Sequence, residues 1–286
     1  MPVRALVLRT AGTNCDAETA FAWEKAGAKA ERVHINRLIE DPKRLGPYQI
    51  LTIPGGFSYG DDISGGKIFA NQLVHHLADV LQKFLEADRL VLGICNGFQV
   101  LVKCGLLPGT ADGRPSLRQE ATITMNDSGL FEDRWTHLRV DTDRCAFLRK
   151  GELLRFPVAH GEGKFIPGPE AGIEKLEAAR QIALRYVGLD GKTGAGYPWN
   201  PNGSVGDVAG ISDPTGRILG LMPHPERHLL PWHHPQWTRL GVPRDRFAPP
   251  SSLMGEGRGE GEEHLRKVEG MGDGFRVFQR GVAYFK

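Results

Sequence analysis

Apolar and polar positions alternate in blocks along the first hundred residues. Residues 5–8 are a short apolar run ended by Arg9, and the turn Ala11-Gly12-Thr13-Asn14-Cys15-Asp16 follows. Asp16 is the expected N-cap of a helix that runs to Lys25 and is closed by Gly27. Residues 30–35 and 50–53 read as the second and third strands. Phe69, Leu73, Leu77, Val80, Leu81 and Phe84 recur at helical spacing and predict a long amphipathic helix. Leu90-Val91-Leu92 is a buried strand, and the turn-free stretch 98–104 ends at Gly105, where a helix needs a left-handed cap. Strands alternating with helices imply an α/β fold with a parallel, doubly wound sheet, whose ligands bind at the C-terminal ends of the strands.

Residues 106–220 are richer in strand, with apolar runs at 121–124, 137–140, 153–158, 182–187 and 208–212 separated by turn signals such as Asp190-Gly191 and Asn200-Pro201-Asn202-Gly203. These are expected to be antiparallel strands that extend or flank the sheet. One more strand, 218–222, ends abruptly at Pro223-His224-Pro225-Glu226. The pattern then fails. Residues 231–270 are rich in Pro and Gly, too poor in apolar side chains to build a core, and are expected to be a flexible insertion. Residues 274–285, with Phe275, Val277, Phe278 and Phe285, predict a terminal helix that docks back. The expected organisation is one domain over 1–230, the insertion over 231–270, and the docking segment over 271–286.

Charge and composition narrow the partners. With 36 basic against 34 acidic side chains in 286 residues, and no basic stripe, nucleic acid and anionic membranes are not expected partners. The N-terminal apolar run is too short for a signal segment and nothing later approaches a membrane span. Four scattered cysteines form no disulfide framework and no zinc spacing, and the expected compartment is a reducing cytoplasm.

The candidate chemistry starts at Gly93-Ile94-Cys95-Asn96-Gly97, where a thiol sits between glycines at a strand-to-helix turn. This is the layout of a nucleophile elbow with Cys in place of Ser. Side chains at 93 or 97 would collide with the adjoining strand and helix, and the Asn96 N–H lies at a helix N-terminus. A thiol needs a base, and His224 with Glu226 two residues later supplies an imidazole and a carboxylate on one side of an extended turn. His228, His233 and His234 are rivals in the expected loose segment. Pro54-Gly55-Gly56-Phe57 is a glycine loop at a strand end that can pair with the Asn96 amide as an oxyanion hole. Cys15 also precedes a helix, but no His partner is legible for it, so its expected place is structural. Gly60-Asp61-Asp62-Ile63-Ser64-Gly65-Gly66-Lys67 misses the phosphate-loop spacing by one, so no ATP site is expected in this chain.

Together these stretches resemble the class I, or triad, glutamine amidotransferases, which share a flavodoxin-like three-layer sandwich. Within them the chain is similar to the branch that serves formylglycinamide ribonucleotide amidation in purine synthesis. Beyond the elbow with Gln99, the branch is marked by Ala159-His160-Gly161-Glu162-Gly163 and Asn200-Pro201-Asn202-Gly203-Ser204. The resemblance implies Cys95 as the nucleophile forming a glutamyl thioester, His224 as base, Glu226 as its orienting partner, and Gly55, Gly56 and Asn96 as the oxyanion hole. It implies Phe57, Gln99, His160, Gly161 and Glu162 around the glutamine, with no metal and no cofactor in this chain. It also implies a separate synthetase subunit carrying ATP and Mg, and a small accessory subunit. The 200–204 loop has no role by chemistry beyond a turn. A Cys peptidase or γ-glutamyl hydrolase on the same sheet stays open as an alternative, as does a non-catalytic glutamine-sensing subunit.

Overall fold

The computed structural model describes residues 1–109, 118–169, 172–239 and 270–286. In chain order its first half runs β1 (Arg4–Arg9), α1 (Asp16–Lys25), β2 (Lys29–His34), α2 (Ile35–Glu40), β3 (Ile50–Ile53), α3 (Lys67–Glu86), β4 (Leu90–Ile94) and α4 (Asn96–Lys103). The second half runs β5 (Ala121–Thr124), β6 (Glu132–Val140), β7 (Leu153–His160), β8 (Lys164–Pro167), α5 (Ile173–Ala178), β9 (Ile182–Tyr186), β10 (Val208–Ser212), β11 (Ile218–Leu221) and α6 (Phe275–Ala283).

Among the described residues, one nine-stranded sheet carries the fold, in the order β2-β1-β3-β4-β11-β10-β9-β6-β7. The first five strands are parallel neighbours, and the remaining four pair antiparallel. The expected α/β sheet with an antiparallel extension is therefore what forms, with β5 and β8 as a separate two-stranded flank. Every residue of β3, β4 and β11 is buried, as expected of strands covered on both faces. The predicted helical stripe of α3 is also real: Phe69, Leu73, Leu77, Leu81 and Phe84 are buried, and Val80 is half-buried against them.

Several local expectations change. Cys15, not Asp16, occupies the N-cap of α1, with Asp16 as first helical residue. Strand β6 begins at Glu132, five residues earlier than the apolar run at 137–140, because its outward positions are charged and half-exposed. The expected 231–270 insertion lies outside the described residues from 240 to 269. Its described start departs from a loose segment: Pro231–His233 is a 3-10 turn, and His228 and His234 are buried with ring centroids 5.0 and 4.4 Å from Trp135. Helix α6 docks as expected, with Phe278 edge-on to Trp23 of α1 at 4.9 Å. Among the described residues no helix is long and apolar enough to cross a membrane.

Candidate active site

Strand order places β1, β3, β4 and β11 side by side and parallel, so the segments leaving their C-terminal ends meet. Register then sets who faces whom. Ile53 pairs with Gly93 and Leu221 with Ile94, which brings Gly55 level with Cys95 and puts the His224 turn just beyond. The Cys95 N–H donates to the Leu221 carbonyl at 2.8 Å and fixes the elbow to β11.

Cys95 itself has φ 52° and ψ −106°, a conformation that costs a side-chain-bearing residue about 1–3 kcal/mol and persists only where the surroundings impose it. The flanking glycines let them. A Cβ on Gly97 would lie 1.9 Å from the Ile53 carbonyl oxygen, and one on Gly93 would lie 2.5 Å from a Leu101 methyl. Gly97→Ala is accordingly expected to lose about 3 kcal/mol or more of unfolding free energy, measured by urea denaturation against the wild type.

Asn96 opens α4, so its N–H has no intrahelical acceptor. Its side chain is spent elsewhere, accepting from the Ser58 N–H at 3.2 Å and donating to Asp61 at 3.0 Å and to Gln99 at 2.8 Å. Gly56 has φ 145° and packs so tightly that a Cβ would lie 2.8 Å from the Asn14 nitrogen and the Gly12 oxygen. The Phe57 N–H donates to Gly12 and the Cys15 N–H to Gly55, which leaves the Gly56 N–H outside this pairing. Asn96 directly follows Cys95, and Gly56 borders a cleft of about 210 Å³ lined also by Cys95, Gln99 and the Ala159-to-Glu162 turn, with Phe57 and Phe131 half-exposed at its mouth. That is about seven waters of ~30 Å³ each, the scale of one amino acid.

His224 and Glu226 meet as expected, though on a different backbone: Pro225–Arg227 is a 3-10 turn, not an extended segment. Nδ1 and Oε1 are 2.5 Å apart, and both side chains are buried. Burial alone would depress the imidazole pKa. The Glu226 carboxylate and the thiols of Cys95 and Cys15 outweigh it and hold the ring well above its ordinary value. Nε2 has no hydrogen-bond partner among the described residues, so the ring keeps its thiol-facing nitrogen free. A thiol and a glycine main-chain group on the wall of one small cleft, with a helix N-terminus next to the thiol and a carboxylate-held imidazole at the neighbouring strand end, can carry out attack on an amide carbonyl.

Cys15 corrects the sequence reading. It does have an imidazole beside it: its Sγ and atoms of His224 and Glu226 all lie within 4.8 Å of one another. The Arg227 guanidinium donates to that sulfur at 3.2 Å, and the thiol donates to Asn14 at 3.2 Å. Burial nevertheless raises the Cys15 pKa, so it remains a thiol where its neighbour reacts.

The far wall of the cleft is a polar network. Gln99 Nε2 donates to the Glu162 carbonyl at 2.6 Å, and the Glu162 carboxylate accepts from the Gly65 N–H at 3.1 Å. Lys103, buried on the last turn of α4, holds Ser64 at 2.9 Å and lies 3.9 Å from Glu162, which locks the 61–66 loop to the turn. The Gly161 carbonyl accepts from the Asn126 N–H at 2.9 Å, so this residue is tied down by its backbone. His160 has both ring nitrogens occupied, Nδ1 by Asn126 at 3.1 Å and Nε2 by Asn202 at 3.4 Å. The 200–204 loop therefore has a use that a turn signal does not convey: buried Asn202 braces His160 and reaches Tyr186 at 3.2 Å.

Burial pushes the His160 pKa down to about 3. A base whose folded pKa lies below its unfolded value of 6.5 makes the unfolded chain the better proton binder between those two values. Stability is thus full above about 6.5 and falls by about 1.4 kcal/mol per pH unit below it. His160→Gln should flatten that acid slope, read by chemical unfolding at pH 7 and pH 4.5.

Comparison with known proteins agrees with this geometry. The chain is 48% identical over 242 residues to "Phosphoribosylformylglycinamidine synthase subunit PurQ" of Dehalococcoides mccartyi, covering 84% of this chain and 91% of that one. It is 44% identical over 237 residues to the protein of the same name from Archaeoglobus fulgidus, covering 79% and 87%. Among solved structures, "Structure of PurLQS from Thermotoga maritima" aligns over 100% of both chains, with a TM-score of 0.67 and 29% identity. The model of the CobB/CobQ-like glutamine amidotransferase domain matches residues 2–285, and the chain belongs to that family.

Proposed function

We propose that the chain is the glutaminase subunit of an enzyme that converts formylglycinamide ribonucleotide to formylglycinamidine ribonucleotide in purine synthesis. The observation that carries this reading is the meeting of Cys95, the His224–Glu226 pair and the Gly55-Gly56 loop at three adjacent strand ends, beside a cleft sized for one amino acid that Cys95 and Gly56 line. The names of the relatives and the three-part PurLQS assembly supply the larger reaction.

The Cys95 thiolate attacks the side-chain carboxamide carbon of glutamine, forming a C–S bond. The resulting oxyanion accepts from the Gly56 and Asn96 N–H groups, with Gly55 keeping the approach clear. As the C–N bond breaks, His224 passes its proton to the departing ammonia and leaves a γ-glutamyl thioester. His224 then takes a proton from water, which cleaves the thioester to glutamate and returns the thiol. Glu226 fixes the imidazole by its Nδ1 throughout. Phe57, Gln99, Gly161 and Glu162 shape the glutamine pocket, whereas His160 acts through the turn it braces.

The ammonia is used on a synthetase subunit that binds ATP and Mg, with a small accessory subunit completing the complex. The chain works in the cytoplasm, a setting supported by its four free thiols. Glutamate release from the chain alone should be weak and should rise about tenfold on adding the synthetase, the accessory subunit and their substrates. No glutamate release with every partner present would overturn the reading, and cleavage of peptides in its place would favour the peptidase alternative.

A further inference from the structure

A lysine in the last turn of a helix ordinarily lies in solvent, where it complements the helix dipole. Lys103 ends α4, yet its side chain is only 4% exposed. Its ammonium group donates to the Ser64 hydroxyl at 2.9 Å and to the Gly65 carbonyl, and lies 3.9 Å from the Glu162 carboxylate. Gln99, one turn earlier on the same helix face, donates to the Glu162 carbonyl at 2.6 Å. Helix α4 therefore grips Glu162 twice, by its backbone and by its charge. The loop is held as closely, since a Cβ on Gly65 would lie 2.5 Å from Gln99 Oε1. Burial depresses the Lys103 pKa, and the charges of Glu162 and Asp61 oppose that.

The same two carboxylates line the cleft that Cys95 borders, and that lining holds no lysine or arginine. Its one imidazole, His160, is kept neutral by burial. Each carboxylate commits a single oxygen to the wall. Asp61 Oδ1 accepts from the Gly66 N–H at 3.2 Å and from Asn96 at 3.0 Å, and Glu162 Oε2 accepts from the Gly65 N–H at 3.1 Å. Asp61 Oδ2 and Glu162 Oε1 have no hydrogen bond among the described residues. We propose that Lys103 is a positioning residue for substrate capture: its buried ammonium ties the 61–66 loop to the Glu162 turn and so holds Asp61 and Glu162 together where the cleft takes the α-ammonium group of glutamine. The incoming cation then meets two anions already in place. Without Lys103 the two carboxylates repel each other and the loop loses its tie, so capture weakens before any chemistry begins. Glutamine as the occupant rests on the glutaminase reading.

The test follows glutamate release by the chain with its synthetase and accessory subunit. Glutaramate, which is glutamine without its α-amino group, is added as a competitor, so its own turnover is not needed. Wild type should hold glutaramate about tenfold more weakly than glutamine, and equal affinity overturns the proposal. Lys103→Gln and Lys103→Met should raise KM for glutamine about tenfold, with a smaller change in kcat, and move the glutaramate inhibition constant less than about twofold. A cleft that is only looser weakens both ligands alike. Parallel shifts, or an unmoved KM in a folded variant, therefore overturn the proposal. Asp61→Asn can keep the bonds from Gly66 and Asn96 while removing the charge, and it decides if neither lysine variant folds. Glutamine weakened about tenfold with glutaramate unmoved is expected there, and equal weakening overturns. A wild-type complex that releases no glutamate refutes the glutaminase reading and this role with it, whereas normal release with parallel shifts refutes this role alone.

Discussion

Cys95→Ala should lower glutamate release about 10,000-fold or more, which corresponds to about 5.5 kcal/mol of transition-state stabilisation. The fold should survive. The Cys95 side chain is one small buried group, and its Sγ makes only a weak 3.7 Å approach to the Ala159 carbonyl. Unfolding free energy is therefore expected to stay within about 1 kcal/mol of wild type. Ammonium chloride, supplied to the complex in place of glutamine, should restore product formation, because only the release of ammonia has been removed. The variant also decides between the two thiols of the site. Cys15 lies against the same imidazole, but it caps α1 with φ −98° and not at a strained apex, and burial keeps it protonated. Retained turnover in Cys95→Ala, abolished by adding Cys15→Ala, would show that the wrong sulfur was assigned.

The two thiols also mark what a sequence can and cannot reveal. Cys95 is legible because its requirements are local: an apolar strand, glycines two residues either side, and a helix. His224 and Glu226 are legible because the pair is two residues apart and ends a strand. Cys15 has equally local surroundings, yet its partner is decided by the order β1-β3-β4-β11, which sets the end of the first strand beside segments far along the chain. Periodicity does not encode that order. Asn202 fails for a related reason, since a turn-forming Asn and a buried Asn that braces His160 look alike until their facing strands are placed. The parallel half was readable because β3, β4 and β11 are buried on both faces and, Thr52 apart, carry no polar side chain. The early part of β6 was not, because Glu132, Asp133 and Arg134 put three charged residues in a row, one on the exposed face and two on the face that is otherwise buried, and break the apolar run.

Glu226→Gln tests the other half of the site and should lower kcat about 1,000-fold, with KM moved less than about threefold. The carboxylate accepts from Nδ1–H, which keeps Nε2 free to take the Cys95 proton. A glutamine amide in the same buried place can donate to Nδ1 and so drive the ring proton to Nε2, where it blocks the thiol. The carboxylate also opposes the depression that burial imposes on His224, and without it burial prevails and the imidazolium that must form during ammonia release is lost. Stability should change in the same sense. Because the folded pKa of His224 stands above its unfolded 6.5, the charged pair stabilises fully below about 6.5 and is lost as pH climbs through the folded value. Chemical unfolding across pH 6 to pH 9 should therefore decline for wild type and run flatter for Glu226→Gln. Glu226→Asp, a shorter carboxylate, should recover part of kcat. A loss of kcat below about tenfold in Glu226→Gln would mean that the backbone around Pro225–Arg227, not the carboxylate, holds the imidazole in register.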